Sequence, residues 1–359
     1  MILPNPQFWA GKTVLVTGHT GFKGAWLALW LEELGARLSG IALTPDTTPA
    51  LFDQLGLEER MDSRIVDIRD HSALLAAVAD VAPDVVLHLA AQPLVLRGYQ
   101  QPVETWATNV MGTANLLDAL HQLAKPCVVV SITTDKVYRN NEWDYGYRED
   151  DVLGGHDPYS ASKSGSELVI DSWRKSFFAP EGKVRLASAR AGNVIGGGDW
   201  SENRLIPDIV RALIAGQEIE VRAPLAVRPW QHVLDPLCGY LVLAEALATS
   251  NDPKFQEGFN FGPTATGEQP AKALVEACIK HWPGGWRDAS QPGARHEAGR
   301  LALSVERAKA RLNWEPVWGF DRSVAETMLW YRAANGALND DVLAISRQTI
   351  DDFQVSAAR

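Results

Sequence analysis

The sequence has few cysteines, no long apolar run and no excess of basic residues. Its 359 residues include three cysteines, Cys127, Cys238 and Cys278, which are far apart and lie in apolar segments. This spacing excludes a CxxC metal site and a disulfide framework. It predicts buried thiols in a reducing cytoplasm and no bound metal.

Membrane and nucleic acid partners are both disfavoured. No apolar run reaches the roughly 18 residues that a membrane-spanning helix requires. The first residues, 1–8, lack the basic and then apolar order of a secretory signal. A net charge of −10, from 34 basic and 44 acidic residues, repels nucleic acid phosphates. A local basic pocket for a phosphate-bearing small molecule remains compatible with this charge.

The N-terminal half alternates short apolar runs with amphipathic helical segments. The run at 84–90 is almost continuously apolar, as in strands that are covered on both faces. Strands are predicted at 12–17, 38–43, 63–67, 84–90, 127–131 and 186–190, and helices at 25–34, 71–81, 101–123 and 158–178. The alternation predicts an α/β fold with a doubly wound parallel sheet of the Rossmann type.

After residue 190 the pattern loosens, with a glycine-rich loop at 192–203 and a helix at 205–216. We expect a nucleotide-binding domain at 1–190, with part of 229–262 packing back on it. A smaller mixed α/β substrate-binding domain is expected from 191–228 and 263–335, followed by a C-terminal tail at 336–359.

A glycine-rich loop lies between the first predicted strand and a helix. It reads Thr17-Gly-His-Thr-Gly-Phe-Lys-Gly24, with GxxGxxG spacing. Gly18 permits a tight turn, Gly21 lets backbone amides approach a pyrophosphate, and Gly24 lets helix and strand pack closely. Glycines also occur in purely structural turns, but the position between strand and helix favours a dinucleotide site.

Tyr159 and Lys163 lie four residues apart, on one face of the predicted helix 158–178. Such a pair is also common on the surface of an amphipathic helix. Near a dinucleotide loop the catalytic interpretation is favoured, in which the cation lowers the pKa of the phenol. The phenol then accepts a proton from a substrate hydroxyl.

With these motifs the sequence resembles the extended short-chain dehydrogenase/reductase superfamily over nearly its whole length. The segment 88–92, Asn109 and the pair Asp67-Ile68 match positions at which that family contacts its dinucleotide. The resemblance implies NAD as cofactor, contacted by Gly18, Gly21, Phe22, Lys23, Gly24, Asp67, Ile68, Ala90, Ala91, Gln92, Asn109, Thr133, Tyr159 and Lys163.

The segment Thr133-Thr-Asp-Lys136, after strand 127–131, is similar to the motif of sugar-nucleotide 4,6-dehydratases. The resemblance gives Thr134 the orienting hydroxyl, Asp135 the acid for the departing C6 hydroxyl, and Lys136 the base for the C5 proton. Tyr159 and Lys163 complete the catalytic set. A solvated turn is the alternative for Asp135 and Lys136, but the carboxyl end of a strand opens onto the cofactor crevice.

The Asp-Lys form resembles CDP-glucose dehydratases and some UDP-N-acetylglucosamine dehydratases. The segments 18–24, 91–95, 145–149, 190–200 and 228–233 resemble the first group. This implies conversion of CDP-D-glucose to its 4-keto-6-deoxy form with recycled NAD, in deoxysugar and lipopolysaccharide O-antigen synthesis. A dehydratase of the UDP-N-acetylglucosamine type and a non-catalytic NAD-sensing regulator remain alternatives, although such regulators typically lack the tyrosine or the lysine.

A sugar nucleotide's pyrophosphate needs cationic partners, and Arg204 and Arg228 are the predicted ones, because a guanidinium engages phosphate oxygens bidentately. Gln92, Asn193 and His232 complete the predicted substrate contacts. The structural alternatives are surface ion pairs for the arginines, a loop turn for Asn193 and a core position for His232. By resemblance, the helices 101–124 and 158–178 pair with their copies in a homodimer or homotetramer.

The residues at the end of the second predicted strand indicate that NAD is held loosely. The family usually has an acidic residue there for the adenosine ribose, whereas this chain has Leu43-Thr-Pro45, with Asp46 slightly later. No arginine replaces the acid, which favours NAD over NADP. We expect purified protein to be partly empty and to be activated by added NAD⁺, as measured by cofactor content and turnover. Protein that is fully loaded and does not respond to added NAD⁺ would contradict this.

Overall fold

The structure is a computed structural model that describes residues 2–178, 182–290 and 299–358. The parts of the predicted domains at 1, 179–181, 291–298 and 359 lie outside these residues. The strands of the described chain are β1 (Thr13–Thr17), β2 (Arg37–Ala42), β3 (Asp62–Ile65), β4 (Val85–His88), β5 (Cys127–Ile132), β6 (Val184–Ala191), β7 (Val194–Ile195), β8 (Ile219–Val221), β9 (Val227–Pro229), β10 (Gln231–His232), β11 (Gly258–Phe261), β12 (Glu268–Pro270) and β13 (Trp286–Asp288).

The α-helices of the described chain are α1 (Pro6–Trp9), α2 (Phe22–Glu33), α3 (Leu51–Gln54), α4 (His71–Val81), α5 (Val95–Gln100), α6 (Pro102–Trp106), α7 (Gly112–His121), α8 (Pro158–Ser176), α9 (Leu205–Ile214), α10 (Leu234–Thr249), α11 (Ala271–His281), α12 (Glu306–Leu312), α13 (Phe320–Ala334) and α14 (Asn339–Ala357). The predicted helix 101–123 is continuous, but a π-helical segment, Ala107–Met111, joins α6 to α7.

Seven parallel strands form the main sheet, in the order β11-β6-β5-β4-β1-β2-β3. Alternate residues of β1 enter different cores: Val14 and Val16 pack with α2 and α10, and Leu15 packs with α4 and α7. Helices therefore cover both faces, and the predicted doubly wound parallel sheet is confirmed. Since all seven strands run in the same direction, their carboxyl ends meet at one edge.

The second half of the chain contributes both to this sheet and to smaller units. β11 pairs with β6 at the edge of the main sheet, while β8–β13, β9–β12 and β7–β10 form two-stranded sheets. Residues 339–357, within the expected tail, form α14, whose Phe353 ring lies 5.6 Å from that of Trp30 and 5.2 Å from that of Trp318. The boundaries of the two domains stay a prediction.

The cysteines are buried and unpaired, as the sequence predicts. Burial raises the pKa of the Cys127 thiol to about 12, so this group stays protonated at neutral pH. Among the described helices, none combines the length and the apolar character needed to cross a membrane.

Candidate active site

A cleft of about 1740 Å³ follows the carboxyl edge of the main sheet. It extends from the glycine loop, past the end of β5, to β8 and β9 in the second half of the chain. The predicted site residues that line it are Gly18, Gly21, Phe22, Lys23, Gly24, Asp67, Ile68, Ala90, Ala91, Gln92, Thr133, Thr134, Asp135, Lys136, Tyr159, Lys163, Asn193, Arg204 and Arg228. The sheet geometry thus brings nearly the whole predicted set together.

The glycine loop packs too closely for side chains at two positions. Gly18 has φ +76°, and a Cβ there would lie 2.8 Å from the Ala90 nitrogen. A Cβ on Gly24 would lie 2.1 Å from the Gly18 oxygen. Gly21 precedes α2 and offers no side-chain cap, so the first amides of α2 are left for another acceptor. This arrangement fits the pyrophosphate of a dinucleotide.

The end of β2 carries no acid, as the sequence shows, and Leu43 beyond it is exposed. Asp46 lies nearby, but its Oδ2 accepts from Arg97 Nη1 at 2.5 Å. Arg97 also approaches Glu202 Oε1 at 3.4 Å, and all three residues line the cleft. The sequence analysis missed Arg97, because no motif marks it.

Thr134, Asp135 and Lys136 lie where β5 ends. Thr134 Oγ1 donates to Asp135 Oδ1 at 2.9 Å, and Lys136 Nζ lies 3.9 Å from the same oxygen. Asp135 Oδ2 is buried and has no hydrogen-bond partner among the described residues. The side chain of Asp135 is 1% exposed and that of Lys136 is 30% exposed, so the acid is enclosed while the amine reaches solvent.

Tyr159 is buried at the start of α8, and its phenol shares a hydrogen bond with Thr134. The predicted lowering of the pKa of Tyr159 by Lys163 stays a prediction. Burial is the largest effect and raises that pKa to about 12, although the Thr134 hydrogen bond and the charge of Arg204 oppose it. Lys163 Nζ donates to the Ile132 carbonyl at 3.1 Å, and burial lowers its own pKa to about 8.

The two predicted arginines line the cleft on the side of the second half of the chain. Arg204 lies at the start of α9, where its Nη1 pairs with Asp199 Oδ2 at 3.0 Å. Arg228 lies on β9 and donates from Nη1 to the Val227 carbonyl at 2.8 Å. Asn193 Oδ1 is buried and lacks a partner among the described residues, which leaves it available to a substrate hydroxyl.

His232 does not line the cleft, so the structure does not support its predicted contact with the substrate. It is 1% exposed, and its ring lies 6.5 Å from that of Trp26 and 4.7 Å from that of Trp318. Burial lowers its pKa to about 3, so the imidazole is neutral and packs as part of the core. The Leu234 amide donates to its Nδ1.

Asn109 also lies off the cleft wall, so the structure does not support its predicted contact with the cofactor. Its Oδ1 accepts from the Gln92 amide at 2.8 Å, and its Nδ2 donates to Ser162 Oγ at 2.8 Å. Asn109 therefore ties the segment after β4 to α8. Gln92 lines the cleft, while its side-chain amide donates to the Leu94 carbonyl and to Thr105 Oγ1.

A buried ion pair lies behind the residues that the sequence analysis predicts to be catalytic. Glu167 Oε2 accepts from Arg190 Nη2 at 2.8 Å and from Ser188 Oγ at 2.9 Å. Glu167 Oε1 accepts from Thr133 Oγ1 at 2.5 Å. Arg190 also donates from Nη1 to Tyr138 Oη at 2.8 Å. The pair thus links α8 and β6 to the segment that carries Thr134 and Asp135.

The sequence analysis did not single out Glu167 or Arg190, although signals existed for both. Glu167 follows Tyr159 and Lys163 at the same four-residue interval, so all three lie on one face of α8. Arg190 is a charged residue in a strand that is otherwise largely buried. A charge in such a place indicates a buried partner.

Comparison with known proteins agrees with the geometry. The model of the family described as GDP-mannose 4,6 dehydratase matches residues 15–327. The chain is 45% identical to the CDP-glucose 4,6-dehydratase of Salmonella typhimurium, over 98% of this chain and 99% of that protein. It is 27% identical to a dTDP-glucose 4,6-dehydratase of Xanthomonas campestris, over 89% and 93% of the two chains.

The fold also matches solved structures. The dTDP-glucose 4,6-dehydratase of Streptomyces venezuelae, solved with NAD bound, superposes with a TM-score of 0.77. The match covers 91% of this chain and 99% of that chain, at 24% identity. At this identity the likeness shows the fold alone.

Removal of one partner of the buried ion pair should destabilise the protein. Arg190→Met leaves the Glu167 carboxylate buried without its cation, which typically costs about 3–5 kcal/mol. We expect urea denaturation to show this loss, and the double variant Arg190→Met/Glu167→Gln to recover part of it because no unpaired charge remains. Arg174→Met removes a pair with the half-exposed Asp171 and serves as control, with a change below ~1 kcal/mol. Equal stability of both single variants would refute the role of the pair.

Proposed function

This chain belongs to the GDP-mannose 4,6-dehydratase family, and from that premise we propose that it is an NAD-dependent CDP-glucose 4,6-dehydratase. As a nucleotide-sugar 4,6-dehydratase it is a hydro-lyase, since oxidation and reduction of the substrate cancel. The assignment of CDP-glucose is supported by the 45% identical Salmonella relative, which covers almost the whole chain.

The arrangement at the end of β5 carries the proposal. An enclosed carboxyl group, Asp135, and an accessible amine, Lys136, lie 3.9 Å apart at the mouth of a parallel sheet. The Thr134 hydroxyl bonds to both Asp135 and Tyr159. A reductase or an epimerase needs the tyrosine but has no use for an additional acid and base. Elimination of water needs both.

NAD fits the part of the cleft formed by the glycine loop and by Lys163, and when bound it supplies a reversible hydride acceptor. Tyr159 takes the proton of the C4 hydroxyl, helped by the positive charge of Arg204, which opposes the effect of burial on the phenol. The resulting C4 ketone acidifies the C5 proton, which Lys136 removes. Asp135 donates to the departing C6 hydroxyl, and its unpartnered Oδ2 is free to do so.

Arg204 and Arg228 hold the pyrophosphate of the sugar nucleotide in this proposal. Asp199 orients the Arg204 guanidinium through the 3.0 Å ion pair and leaves its remaining donors for phosphate oxygens. Asn193 contacts the sugar through its unpartnered Oδ1.

A homodimer is part of the proposal. Apolar side chains are exposed along α6, the π-helical segment and α8: Val103 at 81%, Trp106 at 43%, Met111 at 56% and Leu168 at 63%. Large exposed apolar side chains on neighbouring helices are typical of protein interfaces. The same helices on a second copy would cover them.

A panel of nucleotide sugars tests the assignment. CDP-glucose, dTDP-glucose, UDP-glucose and UDP-N-acetylglucosamine are incubated with the protein and NAD⁺, and the 4-keto product is followed by its absorbance in alkali. We expect CDP-glucose to have a kcat/KM at least ~10-fold above the others, within the range that pocket contacts provide. Highest turnover of UDP-N-acetylglucosamine would assign the alternative substrate, and absence of turnover with every sugar would indicate a regulator.

Lys136→Met tests whether Lys136 removes the C5 proton without taking part in the oxidation at C4. Methionine keeps much of the side chain's volume and removes the amine. The C4 proton goes to Tyr159, so oxidation should continue while removal of the C5 proton stalls. We expect nicotinamide absorbance to rise, whereas 4-keto-6-deoxy product and exchange of the C5 hydrogen with D₂O fall by at least ~100-fold.

Lys175→Met provides the matched control, because Lys175 lies on the outer surface of α8 with a 73% exposed side chain. It should behave as the wild type in both half-reactions. Normal C5 exchange in Lys136→Met would assign the proton to another group. Equal slowing of both half-reactions would give Lys136 an electrostatic role only.

A further inference from the structure

A buried tyrosine outside the cleft is hydrogen-bonded to a loop that lines it. Tyr331, on α13, is 1% exposed, and its Oη donates to the Asp199 carbonyl at 2.5 Å. Burial raises the pKa of this phenol well above its usual range, so the hydroxyl keeps its proton and acts as a donor. Asp199 lines the cleft and Tyr331 does not. The hydroxyl therefore acts on the cleft wall from behind it.

Asp199 connects this hydroxyl to Arg204. Its Oδ2 pairs with Arg204 Nη1 at 3.0 Å, and its Oδ1 accepts from the Ser201 amide at 3.1 Å. The side chain of Asp199 is 5% exposed and that of Arg204 is 33% exposed. All three oxygens of Asp199 thus have a donor, and the enclosed carboxylate holds a guanidinium that remains accessible from the cleft.

The loop that carries Asp199 is also packed against α13. The Tyr331 ring lies 5.2 Å from that of Trp200, edge to face. A Cβ on Gly197 would lie 1.9 Å from Trp330 Cδ2, and the Gly197 carbonyl accepts from Trp26 Nε1 at 2.8 Å. These contacts do not involve the Tyr331 hydroxyl. Loss of the hydroxyl alone should therefore leave the loop in place and free only the peptide group of Asp199.

We propose that Tyr331 is a positioning residue for the sugar nucleotide: by fixing the Asp199 carbonyl, it fixes the direction in which Asp199 presents Arg204 to the pyrophosphate. A two-pronged contact between a guanidinium and phosphate oxygens depends on that direction. Side chains that are ordered before the ligand arrives lose less entropy when it binds. The inference rests on the proposed function, because it requires that Arg204 holds the pyrophosphate.

The effect should fall on binding and leave the chemical steps unchanged. A contact to the pyrophosphate is the same in the ground state and the transition state, so it contributes to KM and not to kcat. Tyr331→Phe also keeps the positive charge of Arg204, which opposes the effect of burial on the Tyr159 phenol. A rise of KM at constant kcat is therefore the signature of the proposed role.

The test measures binding of CDP by calorimetry and turnover of CDP-glucose with saturating NAD⁺. We expect Tyr331→Phe to weaken CDP binding about fivefold, as the loss of one hydrogen bond typically does, and to raise KM equally while kcat changes less than ~2-fold. Thr327→Val is the matched control, because it removes another buried hydroxyl of α13, which donates to the Ser323 carbonyl at 2.7 Å. It should bind CDP as the wild type does.

A double-mutant cycle shows whether Tyr331 acts through Arg204. Arg204→Met alone should weaken CDP binding about 10- to 100-fold, because a charged contact is lost. Adding Tyr331→Phe to Arg204→Met should cause no further loss, since the group that Tyr331 positions is already absent. Asp199→Asn keeps the backbone carbonyl but removes the charge that holds Arg204, and it should also weaken CDP binding.

Two results would overturn the inference. One is unchanged CDP affinity in Tyr331→Phe, whatever happens to kcat. The other is a further fivefold loss when Tyr331→Phe is added to Arg204→Met, which would show that the hydroxyl acts independently of Arg204. Unchanged CDP affinity in Arg204→Met would instead contradict the proposed pyrophosphate contact. A wild type that binds none of CDP, UDP and dTDP would contradict the proposed function, so these failures are distinguishable.

Discussion

The buried pair between Glu167 and Arg190 is the interaction on which the site depends. Parallel strands bring their carboxyl ends to one edge, but backbone pairing alone does not fix the segment that follows β5. Glu167 does so by accepting from Thr133, while Arg190 anchors Glu167 to β6 and to Tyr138. Since Glu167 is on α8, the same contact sets Tyr159 and Lys163 against that segment. One desolvated pair thus couples strand, helix and catalytic turn.

In a chain with a net charge of −10, three cations, Lys23, Lys163 and Arg204, lie within electrostatic reach of one another in the cleft. Burial, and then the charges of Lys163 and Arg204, lower the pKa of Lys23 to about 7. Such an arrangement is costly in the protein by itself, and ligands that bring pyrophosphate groups relieve it. Part of the binding energy of a dinucleotide and a sugar nucleotide therefore comes from the removal of repulsion between cations.

Sequence patterns were sufficient to predict features that a single strand or helix determines. Apolar runs predicted the strands of the main sheet near 84–90 and 127–131, and the four-residue spacing placed Tyr159 and Lys163 together. They were insufficient to predict the position of residues that tertiary packing places. His232 is four residues from Arg228 and resembles a site residue, yet β10 carries it into the core between Trp26 and Trp318. The short strands of the smaller sheets carry too few residues for a periodic signal, and Arg97 belongs to no motif.

The adjacent residues Asp135 and Lys136, the proposed acid and base, have different environments within one short turn. Asp135 is buried against Gly192, where a Cβ would come 3.2 Å from its Oδ2, whereas Lys136 retains access to solvent. A proton donor to a departing hydroxyl benefits from exclusion of water, because water would otherwise compete for the proton. A base that must exchange its proton between turnovers benefits from contact with water. The 3₁₀ turn Asp135–Val137 gives neighbouring residues these two different environments.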